Sequence, residues 1–239
     1  MQDGLYVALS SHLALERRLN TVADNIANAN TVGFRATGIK FEDVVDRIDD
    51  KQVSFVSTGD TYLSGENGAL IETSNALDFA VQGDAWFAID TPAGMVMTRD
   101  GRFQMLENGD LVTLNGYPVL DAGGAPVQLN PQAGPVSAGR DGFLRQDGVQ
   151  VGAIGLFDFT PGPNFRRFEN SGVIPETPPE PAIDRSDVGV VQGFVEQSNV
   201  NPLKELTKLI AIQRTFDDVA ALMREGESGL EDAVKAMSG

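Results

Sequence analysis

The chain of 239 residues carries 18 Lys and Arg against 34 Asp and Glu, a formal charge of −16, and no cysteine. That balance opposes binding to phosphate backbones or anionic lipid, and the missing thiols exclude a disulfide framework, a cysteine nucleophile and a cysteine metal cluster. The length permits a sizeable core in one or two domains, and no run of about eighteen apolar residues is present to span a bilayer.

At the start of the chain, Met1, Leu5, Ala8, His12, Leu15, Leu19, Val22 and Ile26 recur alternately by fours and threes. This spacing predicts a helix with one seam turned toward a partner helix, and Leu9 and Leu13 widen the seam. Asn28, Asn30 and Gly33 tolerate left-handed backbone, so the helix should stop near 28–30. Asp3 precedes the apolar residues, and their periodicity differs from the continuous core of a cleavable signal.

Residues 36–75 read as a mixed connector. Phe41, Val44, Val45 and Ile48 fit a short amphipathic turn of helix, whereas Val53-Ser54-Phe55-Val56 fits a strand. From Asp78 to Ile89 apolar and polar residues alternate loosely. The pairs Asp100-Gly101, Asn108-Gly109, Asn115-Gly116, Asp141-Gly142 and Asp147-Gly148 then mark tight turns between short strands. Met95 to Thr98, Arg102 to Leu106, Leu111 to Leu114 and Tyr117 to Leu120 form the expected rungs of an antiparallel meander, with Val151 to Phe159 a further strand. Pro161 through Pro181 is proline-rich and expected to be irregular and exposed.

The C-terminal stripe of Leu209, Ile212, Phe216, Val219, Met223, Leu230, Ala233 and Met237 repeats the opening pattern, interrupted by Gly226. Leu203, Leu206 and Ile210 broaden its beginning. Asn199 or Asn201 can cap this helix, and Pro202 suits its first turn. The pattern predicts a helix from about 202 to about 224, with a weakened continuation beyond Glu225. The acid is concentrated between the two ends. Residues 1–40 hold four basic and three acidic groups and residues 203–239 hold five and seven, leaving nine against 24 in the middle.

Catalytic constellations are hard to assemble from these residues. His12 is the single histidine and sits on the helical seam, where a packed or interfacial role fits best. Zinc would need nitrogen or sulfur ligands, and the oxygen spacing of a calcium loop is missing. Neither a P-loop nor GxGxxG occurs, and Gly65-Glu66-Asn67-Gly68 lacks the lysine of a phosphate site. Asp49-Asp50 and Asp217-Asp218 are sequence neighbours that point apart, and Trp86 and Phe87 read as core strand residues before a sugar platform. No catalytic, cofactor or metal site is assigned.

Asn25-Ile26-Ala27-Asn28-Ala29-Asn30-Thr31-Val32-Gly33-Phe34-Arg35 at one end meets Glu196-Gln197-Ser198-Asn199-Val200-Asn201 at the other, followed by Glu205-Leu206, Ile210, Gln213-Arg214 and Phe216. With these two signatures the whole chain resembles the axial proteins of the bacterial flagellum, the rod and hook family. Gly4 to Ser10, Gln82 to Phe87, Thr98 to Phe103 and Leu114 to Leu120 are most similar to proximal rod members, although distal rod members share several of these stretches. Ala85 stands where relatives often carry glycine, and Gly172 to Arg185 has no counterpart in the resemblance.

The resemblance implies an α+β fold. In it a discontinuous inner domain of paired, coiled-coil-like N- and C-terminal helices carries an inserted, mainly antiparallel β domain. The corresponding divisions are 1–35, a connector at 36–75, a β-rich outer domain at 76–190 and the closing segment 191–239. It further implies a structural, non-catalytic subunit that polymerises into the axial drive shaft of the basal body. Its partners would be itself, other flagellar rod subunits and the flagellar type III export apparatus, without nucleic acid, membrane insertion or cofactor. Its place would be the rod crossing the periplasm, reached without a cleaved signal peptide. The implied assembly interface comprises Leu5, Leu15, Leu19, Val22, Asn25, Ile26, Asn28, Asn30, Gly33, Phe34, Asn199, Leu206, Leu209, Ile212, Gln213 and Phe216. An isolated amphipathic helix is marginal in water, so such seams call for partners. Two alternatives stay open from the residues. One is a distal rod or hook subunit, and the other is a secreted β-rich binding or hydrolytic module braced by its terminal helices.

Overall fold

Helical and alternating apolar periods occupy different parts of this chain, and the computed structural model, which describes residues 2–41, 43–48, 51–57, 59–183 and 185–238, gives them different folds. The result is α+β, with two helices and mainly antiparallel sheets. The chain divides into two compact units, one of residues 1–27, 37–62 and 201–239, the other of residues 28–36 and 63–200.

Helix α1 (Gln2–Ala27) of the first unit gives way to a turn over Asn28 to Asn30, as the asparagine-rich stop predicts. The chain then forms β1 (Thr37–Lys40), β2 (Asp43–Ile48), β3 (Lys51–Val56) and β4 (Asp60–Leu63). β2 pairs antiparallel with β3, setting Val44 opposite Phe55 and Asp46 opposite Val53, while β1 pairs with β4. The helical turn expected at Phe41 to Ile48 is therefore a strand over 43–48. Val44, Val45 and Ile48 are β-branched, lose rotamer freedom in a helix and sit well in a paired strand.

Helix α2 (Pro202–Ser238) starts where the sequence indicates, since Asn201 Oδ1 accepts the Lys204 amide proton at 3.1 Å in the manner of an N-cap. It runs on beyond Arg224 to Ser238 as one helix, over the stretch where a weakened continuation is expected. One glycine costs a helix only about 1 kcal/mol, so Gly226 and Gly229 do not terminate it. Met1 of the predicted seam and the Asp49-Asp50 pair lie outside the described residues. So do the side chains of Leu5, Ala8, Met223, Leu230, Ala233 and Met237.

The second unit begins its strands with β5 (Leu70–Glu72), β6 (Phe79–Gln82), β7 (Trp86–Thr91) and β8 (Gly94–Thr98). Next come β9 (Phe103–Met105), β10 (Leu111–Thr113), β11 (Ser137–Ala138), β12 (Phe143–Gln146), β13 (Val149–Ala153) and β14 (Leu156–Asp158). The last are β15 (Arg166–Phe168), β16 (Gly172–Ile174), β17 (Glu180–Pro181), β18 (Gly189–Gln192) and β19 (Phe194–Glu196). Six of them build the main sheet in the order β15-β16-β8-β7-β14-β17, every pair antiparallel.

Both faces of this sheet are covered. Phe87, Ile89, Val96 and Leu156 point into one buried cluster, and Trp86, Ala88, Met97 and Phe157 point into another. A strand buried on both sides reads as a continuous apolar run, which explains why the alternation from Asp78 to Ile89 is loose. Trp86 is accordingly a core residue, 3% exposed, with the Phe159 ring edge-on at 5.7 Å.

Turn chemistry sets the hairpins. Asp147 and Gly148 adopt φ of 51° and 80° between the paired residues Gln146 and Val149, the two-residue turn with both φ positive that joins β12 to β13. Tyr117 to Leu120 contributes only single bridges, Val112 to Pro118, Ile89 to Val119 and Leu120 to Pro126, in place of the expected rung. Proline has no N–H to extend a ladder. The stretch Pro161 to Pro181 differs more from expectation: β15 and β16 form a hairpin there and Val173 is fully buried. Its prolines flank the segment 164–174 and leave that hairpin free to pair.

Candidate assembly site

Helices α1 and α2 lie against each other in the first unit. His12 and Phe216 mark the contact with ring centroids 4.3 Å apart, so the lone histidine is packed. Further along, Asn25 ties the end of α1 to its surroundings through its whole carboxamide. Oδ1 accepts the Thr37 amide proton at 2.9 Å, and Nδ2 donates to the Thr37 carbonyl at 2.9 Å and to Glu205 Oε2 at 3.3 Å. Asn25 and Glu205 are both buried, and Lys208 completes the carboxylate's partners at 2.5 Å from Oε1. A buried amide with its donors and acceptor satisfied fixes one arrangement of the backbone around it.

The second unit holds the remaining parts of the two signatures. Gly33, with φ of 70°, donates its amide proton to the Glu196 carbonyl at 2.7 Å, and a Cβ there would collide with the Asp100 backbone nitrogen. Only glycine meets both demands. Asn199 bridges by Oδ1 accepting from the Ala36 amide at 2.7 Å and Nδ2 donating to the Glu66 carbonyl at 2.7 Å. Phe34 is buried beneath the Arg167 guanidinium, 4.3 Å from the ring centroid.

At the centre of that unit the Glu196 carboxylate receives Arg99 Nε at 2.6 Å on Oε2, with Arg35 Nη2 3.5 Å from Oε1. Arg99 also donates to the Gly83 and Ala85 carbonyls, and both guanidiniums reach Asn67 Oδ1. Trp86 forms the floor, its ring 5.2 Å from the Arg35 guanidinium and 5.9 Å from that of Arg99. Burial, with the neighbouring Arg99 charge second, pulls Arg35 below its ordinary value, while Glu196 and Asp84 oppose the shift. The arrangement holds no nucleophile beside a base and no metal-binding group among the described residues. It is built to fix chain segments in place.

The residues expected at an assembly interface are distributed between the units. In the first, Val22, Asn25 and Ile212 are buried, and Leu15, Leu19, Ile26, Leu209 and Phe216 are half-buried. Leu206 and Gln213 are exposed, and the Leu5 side chain lies outside the described residues. In the second, Asn28, Gly33 and Phe34 are buried, Asn199 is half-buried and Asn30 is exposed. Sequence reasoning missed the organising charges Arg99, Glu196 and Glu205. All three fall inside the quoted motifs, but nothing local says which charge of a motif turns inward.

Three family models match parts of the chain. Residues 5–35 match the model of the flagella basal body rod protein, 80–145 that of the flagellar hook protein FlgE/F/G D1 domain, and 191–235 that of the flagellar basal body rod FlgEFG protein C-terminal. Flagellar basal-body rod protein FlgF of Mesorhizobium japonicum is 64% identical over 237 residues, covering 99% of this chain and 98% of the relative. The FlgF of Rhizobium meliloti is 56% identical over 239 residues, 100% and 99% of the two chains. FlgG of Bacillus subtilis is 29% identical over 262 residues, 98% of each. The chain therefore belongs to the flagellar basal-body rod proteins. Within that family it is most like FlgF, a structural subunit of the proximal rod that assembles with other rod proteins.

Proposed function

We propose that this rod subunit polymerises through α1 and α2, forming part of the axial shaft that transmits motor torque for motility. The uneven cover of apolar surface on these helices carries the reading. Val22 and Ile212 are buried, yet Leu9 and Leu13 on α1 and Leu203, Leu206 and Ile210 on α2 stand between 43% and 76% exposed. Each set follows a helical period and forms a stripe along its own helix. Head-to-tail contacts that do not close into a ring generate a filament, the symmetry a shaft requires.

In the assembled rod the paired helices act as a coiled-coil-like inner domain and the β-rich unit, which carries most of the acid, faces outward and stays hydrated. The subunit travels through the flagellar type III export apparatus and takes its place in the rod across the periplasm. Among the described residues no helix is long and apolar enough to cross a membrane. The higher identity to FlgF than to FlgG favours the proximal over the distal rod.

Deletion of residues 1–35 tests the reading in a strain lacking the chromosomal copy. Isolated basal bodies should then lack the subunit and cells should not swim. Normal motility would overturn rod assembly through the helices and favour a β-rich module whose function resides elsewhere.

A further inference from the structure

We propose that Asn67 is a self-modifying site, converting through a cyclic imide to aspartate or isoaspartate under the influence of the Arg35, Arg99 and Glu196 cluster. Three Asn-Gly pairs occur in the chain, at 67–68, 108–109 and 115–116. In such a pair the glycine nitrogen can attack the asparagine Cγ without steric hindrance. Position 68 cannot hold a larger residue, because a Cβ there would collide with the Gln197 carbonyl oxygen.

The surroundings of Asn67 differ from those of the other two. Its Oδ1 accepts from Arg35 Nη2 and, at 3.2 Å, from Arg99 Nη2, so two cations face the oxygen on which negative charge develops during attack. The attacking nitrogen of Gly68 donates its proton to Glu196 Oε1 at 2.9 Å, a carboxylate placed to assist its removal. By contrast, the Gly109 nitrogen donates to the Leu106 carbonyl and the Gly116 nitrogen to the Thr113 carbonyl, neither of which is a base. The Asn108 and Asn115 amide nitrogens donate to Asp110 and Glu169 carboxylates, groups that offer nothing to a forming oxyanion.

The step balances with water alone. The Gly68 nitrogen bonds to Asn67 Cγ, the Cγ–Nδ2 bond breaks, and the proton lost by the glycine nitrogen leaves with Nδ2 as ammonia. Water then opens the imide at either carbonyl. Asn67 is exposed, so water has access, while Arg35, Arg99 and Glu196 are buried. The product carboxylate stands against two guanidiniums that share a single buried carboxylate, and Arg35 Nε has no hydrogen-bond partner. Charge pairing thus favours the product.

The test is peptide mapping by mass spectrometry of the full-length protein incubated at neutral pH, native and in concentrated urea. Natively, Asn67 should convert about tenfold or more faster than Asn108 and Asn115. In urea the three rates should converge. A native rate at Asn67 equal to or below the other two, or an excess that survives denaturation, would overturn the proposal.

Discussion

Arg99 and Glu196 stand 97 residues apart in the chain and meet at 2.6 Å, with their side chains 0% and 2% exposed. Glu196→Gln keeps the shape but leaves Arg99 and Arg35 buried without their carboxylate, which should cost about 3–5 kcal/mol. Urea unfolding of the full chain followed by tryptophan fluorescence checks this directly, because Trp86 lies under both guanidiniums. An unchanged midpoint would mean that the pair contributes little.

Asn25→Ala removes the three side-chain bonds between Asn25, Thr37 and Glu205. Each buried polar group left unsatisfied costs about 1–3 kcal/mol, so thermal loss of helical circular dichroism should come at lower temperature. Asn30→Ala, at an exposed position, is the control and should stay close to wild type.

Leu13→Asp and Leu206→Asp change exposed stripe residues, and the monomer's helix content should remain that of wild type. Incorporation into basal bodies should be lost all the same. Leu19→Asp and Phe216→Asp act on half-buried positions and should lose both incorporation and helix pairing, while the β-rich unit keeps its fold. Immunoblotting of purified basal bodies with circular dichroism of the monomer separates the two classes.

Gly148→Ala forces a side chain into a turn with φ of 80°. The strain should destabilise the protein by about 1–2 kcal/mol. Amide hydrogen exchange should show the loss first in β12 and β13.

The hydrogen bond from Arg185 holds the Asp187 carboxyl below its ordinary value. A carboxyl depressed in the folded state contributes stability above its unfolded value, and the contribution is lost as pH falls through the folded value. Exposure keeps the effect small. In an NMR titration, Arg185→Gln should therefore move the Asp187 midpoint upward, and no movement would discount the bond.

The helices were legible because Leu, Val and Ile recurring by threes and fours line one side of a helix but would scatter over both faces of a strand, and Asn28 to Gly33 supplied the stop. Phe41 to Ile48 shows the limit of that logic: four apolar residues fit a helical turn by count, but pairing with Val53 to Val56 decided for a strand. The signatures identified Asn25, Gly33 and Asn199 as important without showing what they touch. Partnerships such as Arg99 with Glu196 leave no local trace, since each residue alone reads as an ordinary charge at a strand end. The inward turn of Arg99 depends on the carbonyls of Gly83 and Ala85, and that of Glu196 on Arg99 and the Gly68 amide, which only the folded chain brings within reach.

The bond from Gly33 to the Glu196 carbonyl, with Asn199 accepting from Ala36, makes the two signature segments halves of a single lock. The two ends of this chain are consequently not separable parts for chimera building. An opening segment brought in from elsewhere would have to fit Glu196 to Asn199 as this one does, so a functional exchange should move both ends together.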